Sequence, residues 1–156
     1  MLKRILSSDT CAKCQICCGF DDSDLWEVPV VVSELRDELL KSYSHLKFTS
    51  FQNSYKFEMS KSQDGLYYCP MLSETGCVLG SSKPLDCKIW PFRIMRFKDS
   101  LVITLSPVCP SLSAKPLNEL CKFLEEGFAE TLFKEAVRHP DIVKDYIDNY
   151  PILAVQ

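Results

Sequence analysis

Cys11-Ala12-Lys13-Cys14-Gln15-Ile16-Cys17-Cys18-Gly19 sets four thiols at two-residue intervals, with the last two adjacent. Two intervening residues let the backbone wrap an ion, so that neighbouring thiolates converge on it. Iron–sulfur proteins use successive C-x-x-C steps for this purpose, and zinc sites use single C-x-x-C knuckles. On a helix the four would share one face, because Cys11 and Cys14 are three apart and Cys14 and Cys18 are four apart. Cys17 and Cys18, as neighbours on an extended chain, would point apart and face different partners: two metals, or one metal and the core. Lys13 offsets thiolate charge, and Gly19 permits a tight turn beside it.

Five further cysteines follow. Cys69, Cys77 and Cys87 lie in a region punctuated by Pro70, Gly76, Gly80 and Pro84; Cys109 sits between Pro107 and Pro110; Cys121 stands apart on a helical pattern, where core packing accounts for it. That leaves Cys11, Cys14, Cys17, Cys18, Cys69, Cys77, Cys87 and Cys109 as candidate ligands, enough thiolates for two four-coordinate sites or for one cluster with four to spare. The N-terminus, Met-Leu-Lys-Arg-Ile-Leu-Ser-Ser, carries charge without the apolar segment of a secretory signal, so a cytoplasmic location is expected. In that compartment clustered cysteines serve as metal ligands or redox groups more often than as disulfides. A net charge of −3 gives no general attraction to nucleic acid or anionic lipid, and no apolar run is long enough to suggest a membrane span.

The rest of the chain reads as α+β: a small, cysteine-rich metal-binding domain with short strands and a C-terminal helical segment. Val28 to Val32 is β-branched and predicts a strand, placed near a sheet edge by Pro29. Ser33 is a candidate N-cap for a helix reaching about His45, with Leu35, Leu39 and Leu40 at helical spacing. Lys47 to Met59 suggests one or two strands, and Leu66 to Cys69 another. Phe92 to Phe97 and Leu101 to Leu105 flank Lys98-Asp99-Ser100 in a hairpin pattern. From Pro116 onward, Leu117, Leu120, Cys121, Leu124, Phe128 and Leu132 recur at three and four, predicting one helix up to Pro140. Ile142, Val143, Tyr146, Ile147 and Tyr150 suggest a second, short one. The expected organisation is one domain over 1–156, with a cysteine core over about 11–109 and a helical tail over about 116–150.

The spacing Cys11-x-x-Cys14-x-x-Cys17-Cys18 resembles the signature of the YkgJ-like CxxCxxCC family of zinc- or iron-chelating domains. The downstream half of that pattern is present too: Cys69-Pro-Met-Leu72, Gly76-Cys77, then Lys83-Pro84-Leu-Asp-Cys87-Lys88-Ile-Trp90-Pro91-Phe92. Lys83 stands where the family usually has arginine, which keeps the charge but loses the planar fork. The resemblance spans Cys11 to Cys109 and implies a metal-binding fold rather than a reaction. The same cysteine pattern is similar to that of flagellin lysine methylases, longer proteins thought to carry an iron–sulfur cluster. That similarity implies a cluster-dependent, protein-modifying enzyme as an alternative.

Among other residues, His45 and His139 fall near predicted helix ends, where an imidazole is ordinarily a surface or dipole-complementing group. Asp21, Asp22 and Asp24 read as a solvated turn. Trp90, Phe92, Tyr67 and Tyr68 are candidates to roof the metal site, and Lys88, Arg93 and Arg96 to balance its charge. So few histidines support no Ser/His/Asp or Cys/His catalytic arrangement, and neither a G-x-G-x-x-G loop nor a C-x-x-x-C-x-x-C spacing occurs. The expected cofactor is an iron–sulfur cluster, preferred over zinc. The competing readings are the modifying enzyme, with a protein substrate, and a zinc-stapled module that presents its C-terminal helices to a protein partner.

Overall fold

In the computed structural model, which describes residues 2–23 and 26–156, the chain divides into two units, Met1–Lys88 and Ile89–Gln156. The protein mixes helix and sheet, as expected for α+β.

The first unit begins with α1 (Ser8–Cys14), whose start is fixed by the Ser7 hydroxyl accepting from the Thr10 N–H at 3.1 Å. A 3-10 turn (Ile16–Cys18) leads into β1 (Gly19–Phe20). The chain returns as β2 (Val30–Val31), α2 (Ser33–Ser42), β3 (Phe48–Phe51), β4 (Ser54–Phe57), β5 (Ser60–Lys61), β6 (Tyr67–Tyr68), β7 (Leu72–Ser73) and β8 (Gly76–Cys77). A 3-10 turn (Gly80–Ser82) then precedes α3 (Leu85–Ile89), whose last residue opens the second unit. Three small antiparallel sheets result, ordered β1-β6-β5, β2-β4-β3 and β7-β8. Phe20, Val28, Val31, Leu39, Leu46, Phe57, Met59, Met71 and Leu79 form the buried core. Each such side chain contributes about 1.5–3 kcal/mol by leaving water.

The second unit is built on a hairpin, β9 (Phe92–Phe97) and β10 (Ser100–Leu105), turning at Lys98 with φ 55°. After α4 (Pro110–Ser113) come α5 (Leu117–Phe123), a π-helical turn (Leu124–Phe128) and α6 (Ala129–Arg138). A 3-10 turn (Pro140–Ile142) precedes β11 (Lys144–Asp145) and β12 (Ile152–Val155), which complete a sheet ordered β11-β9-β10-β12. Phe92, Phe123 and Phe128 meet with centroids 5.0 to 6.2 Å apart and pin the kinked helical segment to the sheet.

Four sequence expectations need correction. Ser33 is the first helical residue rather than the cap: the Val32 carbonyl already accepts from the Arg36 N–H, and α2 closes at Ser42, short of His45. The predicted helix from Pro116 is broken at Gly127, whose φ of 99° suits glycine and interrupts the helical backbone. The predicted short helix near Ile142–Tyr150 does not form: Ile142 ends a 3-10 turn, Lys144–Asp145 pairs with the edge of β9 as β11, and Asn149 at φ 72° and Pro151 oppose a helix. The strand expected over Val28 to Val32 is confined to β2, which does lie at a sheet edge. The Lys47–Met59 region forms the β3–β4 hairpin, and the β9–β10 hairpin stands where it was expected.

Candidate metal centre

The helical alternative for the four N-terminal cysteines holds for two of them. Cys11 and Cys14 lie on α1, and the helix then stops at Gln15, in the left-handed region at φ 56°. Cys17 and Cys18 follow on the 3-10 turn, which is closed by the Cys18 N–H donating to the Gln15 carbonyl at 2.9 Å. The Cys18 carbonyl accepts from the Cys69 N–H at 3.0 Å, and β1 continues that pairing through Gly19 opposite Tyr68 and Phe20 opposite Tyr67. This antiparallel register brings the first cysteine group beside the second, some fifty residues away in the chain. Gly19 makes room for it: a β-carbon there would meet the Tyr68 ring at 3.0 Å.

Cys69, Cys77 and Cys87 come from three successive turns. The Leu72 N–H donates to the Cys69 carbonyl, and the β7–β8 hairpin carries Cys77 back opposite Leu72. Cys69 and Cys77 pack against the hydrophobic core, which holds them from below. Cys87 rides on α3, anchored where the buried Asp86 carboxylate accepts from the Val30 N–H at 2.9 Å. The nine cysteines form no disulfide; Cys14 is exposed, Cys109 is buried, and the others are half-buried.

Electrostatics couples these thiols. The Cys17 thiol is held protonated far above its ordinary range, first by donating to the Cys18 sulfur and then by burial, with its own backbone N–H and Lys83 opposing. Burial pushes Cys69 up to about 11; the Met71 N–H, donating to its sulfur, and Lys83 pull it down, while the neighbouring Cys77 and Cys17 thiols add to the rise. Cys87 is half-buried as a residue, but burial dominates at its sulfur and raises it well above the usual thiol range, with Cys69, Asp86, Cys17 and Cys77 contributing. Cys17, Cys69, Cys77 and Cys87 therefore lie within one another's fields, with Cys18 bonded to the group and Lys83 as the cation beside it. Coulombic reach is longer than a metal–sulfur bond, which is about 2.3 Å for zinc. Among the described residues, no group of three or more His, Cys, Asp or Glu side chains stands where it could hold a metal ion. The donors suit a thiophilic ion in kind, being sulfur with one N–H···S bond and a nearby ammonium, but holding one requires the sulfurs to draw inward.

Other predicted site residues sit elsewhere. Cys109 caps the N-terminus of α4 and Cys121 lies on α5, both in the second unit. His139 is the C-cap of α6, and His45 lies past the end of α2, edge-on to Tyr43. Asp21 and Asp22 are exposed, whereas Asp24 lies outside the described residues. Arg93 stacks over Trp90 at 4.6 Å within the second unit, and Phe92 belongs to the aromatic trio there. Lys83 is the cation whose charge reaches Cys17 and Cys69; its place before Pro84 and Cys87 is the sequence signal for it. Two open hollows, of about 710 and 370 Å³, have no cysteine in their linings. No helix among the described residues is long and apolar enough to cross a membrane.

No protein-family model matches this chain, and neither the curated proteins nor the solved structures compared with it give a match.

Proposed function

We propose that the first unit is a cysteine-ligated metal module, with Cys17, Cys69, Cys77 and Cys87 as its central thiolates and Cys18 beside them. Cys11 and Cys14 complete the candidate set within that unit. What carries the reading is the pairing that sets Cys18 against Cys69 at the start of the β1–β6 register, with Cys77 on the hairpin that follows, a gathering that core packing of single cysteines does not require. The likeness of Cys11 to Cys18, and of Cys69 to Phe92, to the CxxCxxCC signature supports the same chemistry. Successive C-x-x-C steps favour an iron–sulfur cluster, and zinc is the alternative occupant of the same sulfurs. Bound metal would supply electron transfer in the first case and a structural staple in the second. The chain's own residues account for the rest: each ligating thiol releases its proton, Lys83 balances the charge, and the Met71 N–H steadies Cys69. The protein-modifying alternative gains no support from the two hollows.

The test is to purify the protein without oxygen, record its visible absorbance, and measure iron, sulfide and zinc on the same sample. Matching iron and sulfide, or zinc in whole-number ratio to the chain, is expected. Cys17→Ser, Cys69→Ser and Cys87→Ser should lose most of that metal, and Cys121→Ser should keep it. The reading fails if no iron or zinc is taken up, or if all three ligand variants hold the full complement.

A further inference from the structure

Gln15 occupies a position where a helix ordinarily ends in glycine. At φ 56° its β-carbon is disfavoured, and left-handed C-caps are mostly glycine or asparagine for that reason. Its side chain offers a reason for its presence. The Gln15 Nε2 donates to the Ala12 carbonyl at 3.0 Å, within its own helix, and to the Ser73 and Glu74 carbonyls at 3.3 and 3.2 Å, across on the β7–β8 turn. Two amide hydrogens serve three carbonyls, so one is shared between acceptors. Three converging carbonyls are met by the NH₂ end of the amide and by no other group that a glutamine carries.

The second half of the contact is steric. Gly76 closes the same hairpin at φ 106°, and a β-carbon there would lie 2.9 Å from the Ala12 β-carbon. α1 therefore lies directly on the hairpin, and the Gln15 amide ties it down one residue after Cys14 and two before Cys17. The same hairpin ends in Cys77. We propose that Gln15 is a positioning residue, an amide clasp that holds the Cys11–Cys18 segment against the Cys77 hairpin and thereby sets how long a bound metal is retained. This inference rests on the metal reading above.

A substitution separates the clasp from the fold. Gln15→Gly suits the left-handed backbone better than the native residue, yet removes all three hydrogen bonds. Gln15→Asn also tolerates that backbone, but is one methylene too short to span to Ser73 and Glu74. In the full chain loaded with Zn²⁺ alone, both variants should bind the wild-type amount of zinc. They should release it to a chelator about ten times faster, the scale on which outer contacts of metal ligands act. The unfolding midpoint of the zinc-free Gln15→Gly protein should match or exceed that of wild type, which a merely structural loss would lower. Wild-type release rates in both variants would overturn the clasp. If the wild-type chain takes up neither zinc nor iron, the metal reading is what fails, and the clasp is judged by hydrogen exchange at the Cys18 amide. Faster exchange in Gln15→Gly sustains it, and unchanged exchange overturns it.

Discussion

Tyr68 shows how much one side chain can bear on the cysteine segment without being a ligand. Its ring lies over Gly19, immediately after Cys18, and its hydroxyl donates to the Asp64 carboxylate at 2.8 Å. Asp64 titrates below its ordinary value first because the Leu66 N–H donates to it, and second because Tyr68 does. A carboxyl lowered on folding stabilises the native state at pH values above its unfolded pKa. That contribution disappears as pH falls through the lower, folded value. Tyr68 is raised by the same bond, so its share is present below the usual phenol range and is lost as pH rises through the raised value. In Tyr68→Phe the Asp64 pKa should move up but stay below that of an unfolded aspartate, because the larger cause remains. An NMR titration of the Asp64 carboxyl carbon reads this directly, and an unmoved curve would show that the hydroxyl contributes nothing.

Two glycines at positive φ shape the elements, and they differ in what surrounds them. Gly127, at 99°, breaks the helical run between α5 and α6 and has nothing within 4 Å of where a β-carbon would go. Gly127→Ala should therefore cost the backbone term alone, about 1–2 kcal/mol. Gly76 carries the same backbone cost and adds a contact at 2.9 Å with Ala12. Gly76→Ala should cost more, about 2–5 kcal/mol, since overpacking commonly adds about 1–3. Urea unfolding of the two variants tests the order, and equal losses would mean that α1 yields to the new methyl. The contrast also explains what was legible beforehand. The apolar spacing from Leu117 to Leu132 is helical and was read as such, but periodicity does not register a single φ, so the break at Gly127 escaped it. Ile142 to Tyr150 has helical spacing, whereas the open edge of β9 draws Lys144–Asp145 into a strand, and such an edge is visible only once the hairpin exists. Gln15 was passed over because its three acceptors come from α1 and a turn nearly sixty residues away.

At the scale of the molecule, the eight candidate thiols are divided between the units: seven from Cys11 to Cys87 in the first, and Cys109 in the second. The spacing of the N-terminal group suggests metal chemistry, but nothing in a linear sequence states which distant thiols come together. That follows from the β1–β6 register and the β7–β8 hairpin. The two units also differ in how they are held. The second has a four-stranded sheet with an aromatic trio, and the first joins sheets of two and three short strands around one core. Short strands supply few ladder bonds, so under the proposed metal reading ligation would have more to add where the cysteines gather, and binding would be coupled to folding. Hydrogen exchange on the metal-loaded and metal-stripped chain should reveal this. Stripping should speed exchange at the Cys18 and Cys69 amides and along β6, while the paired amides of β9 and β10 keep their protection. Simultaneous loss in both units would mean that they unfold as one cooperative body, and unchanged exchange in the first unit would separate its stability from metal altogether.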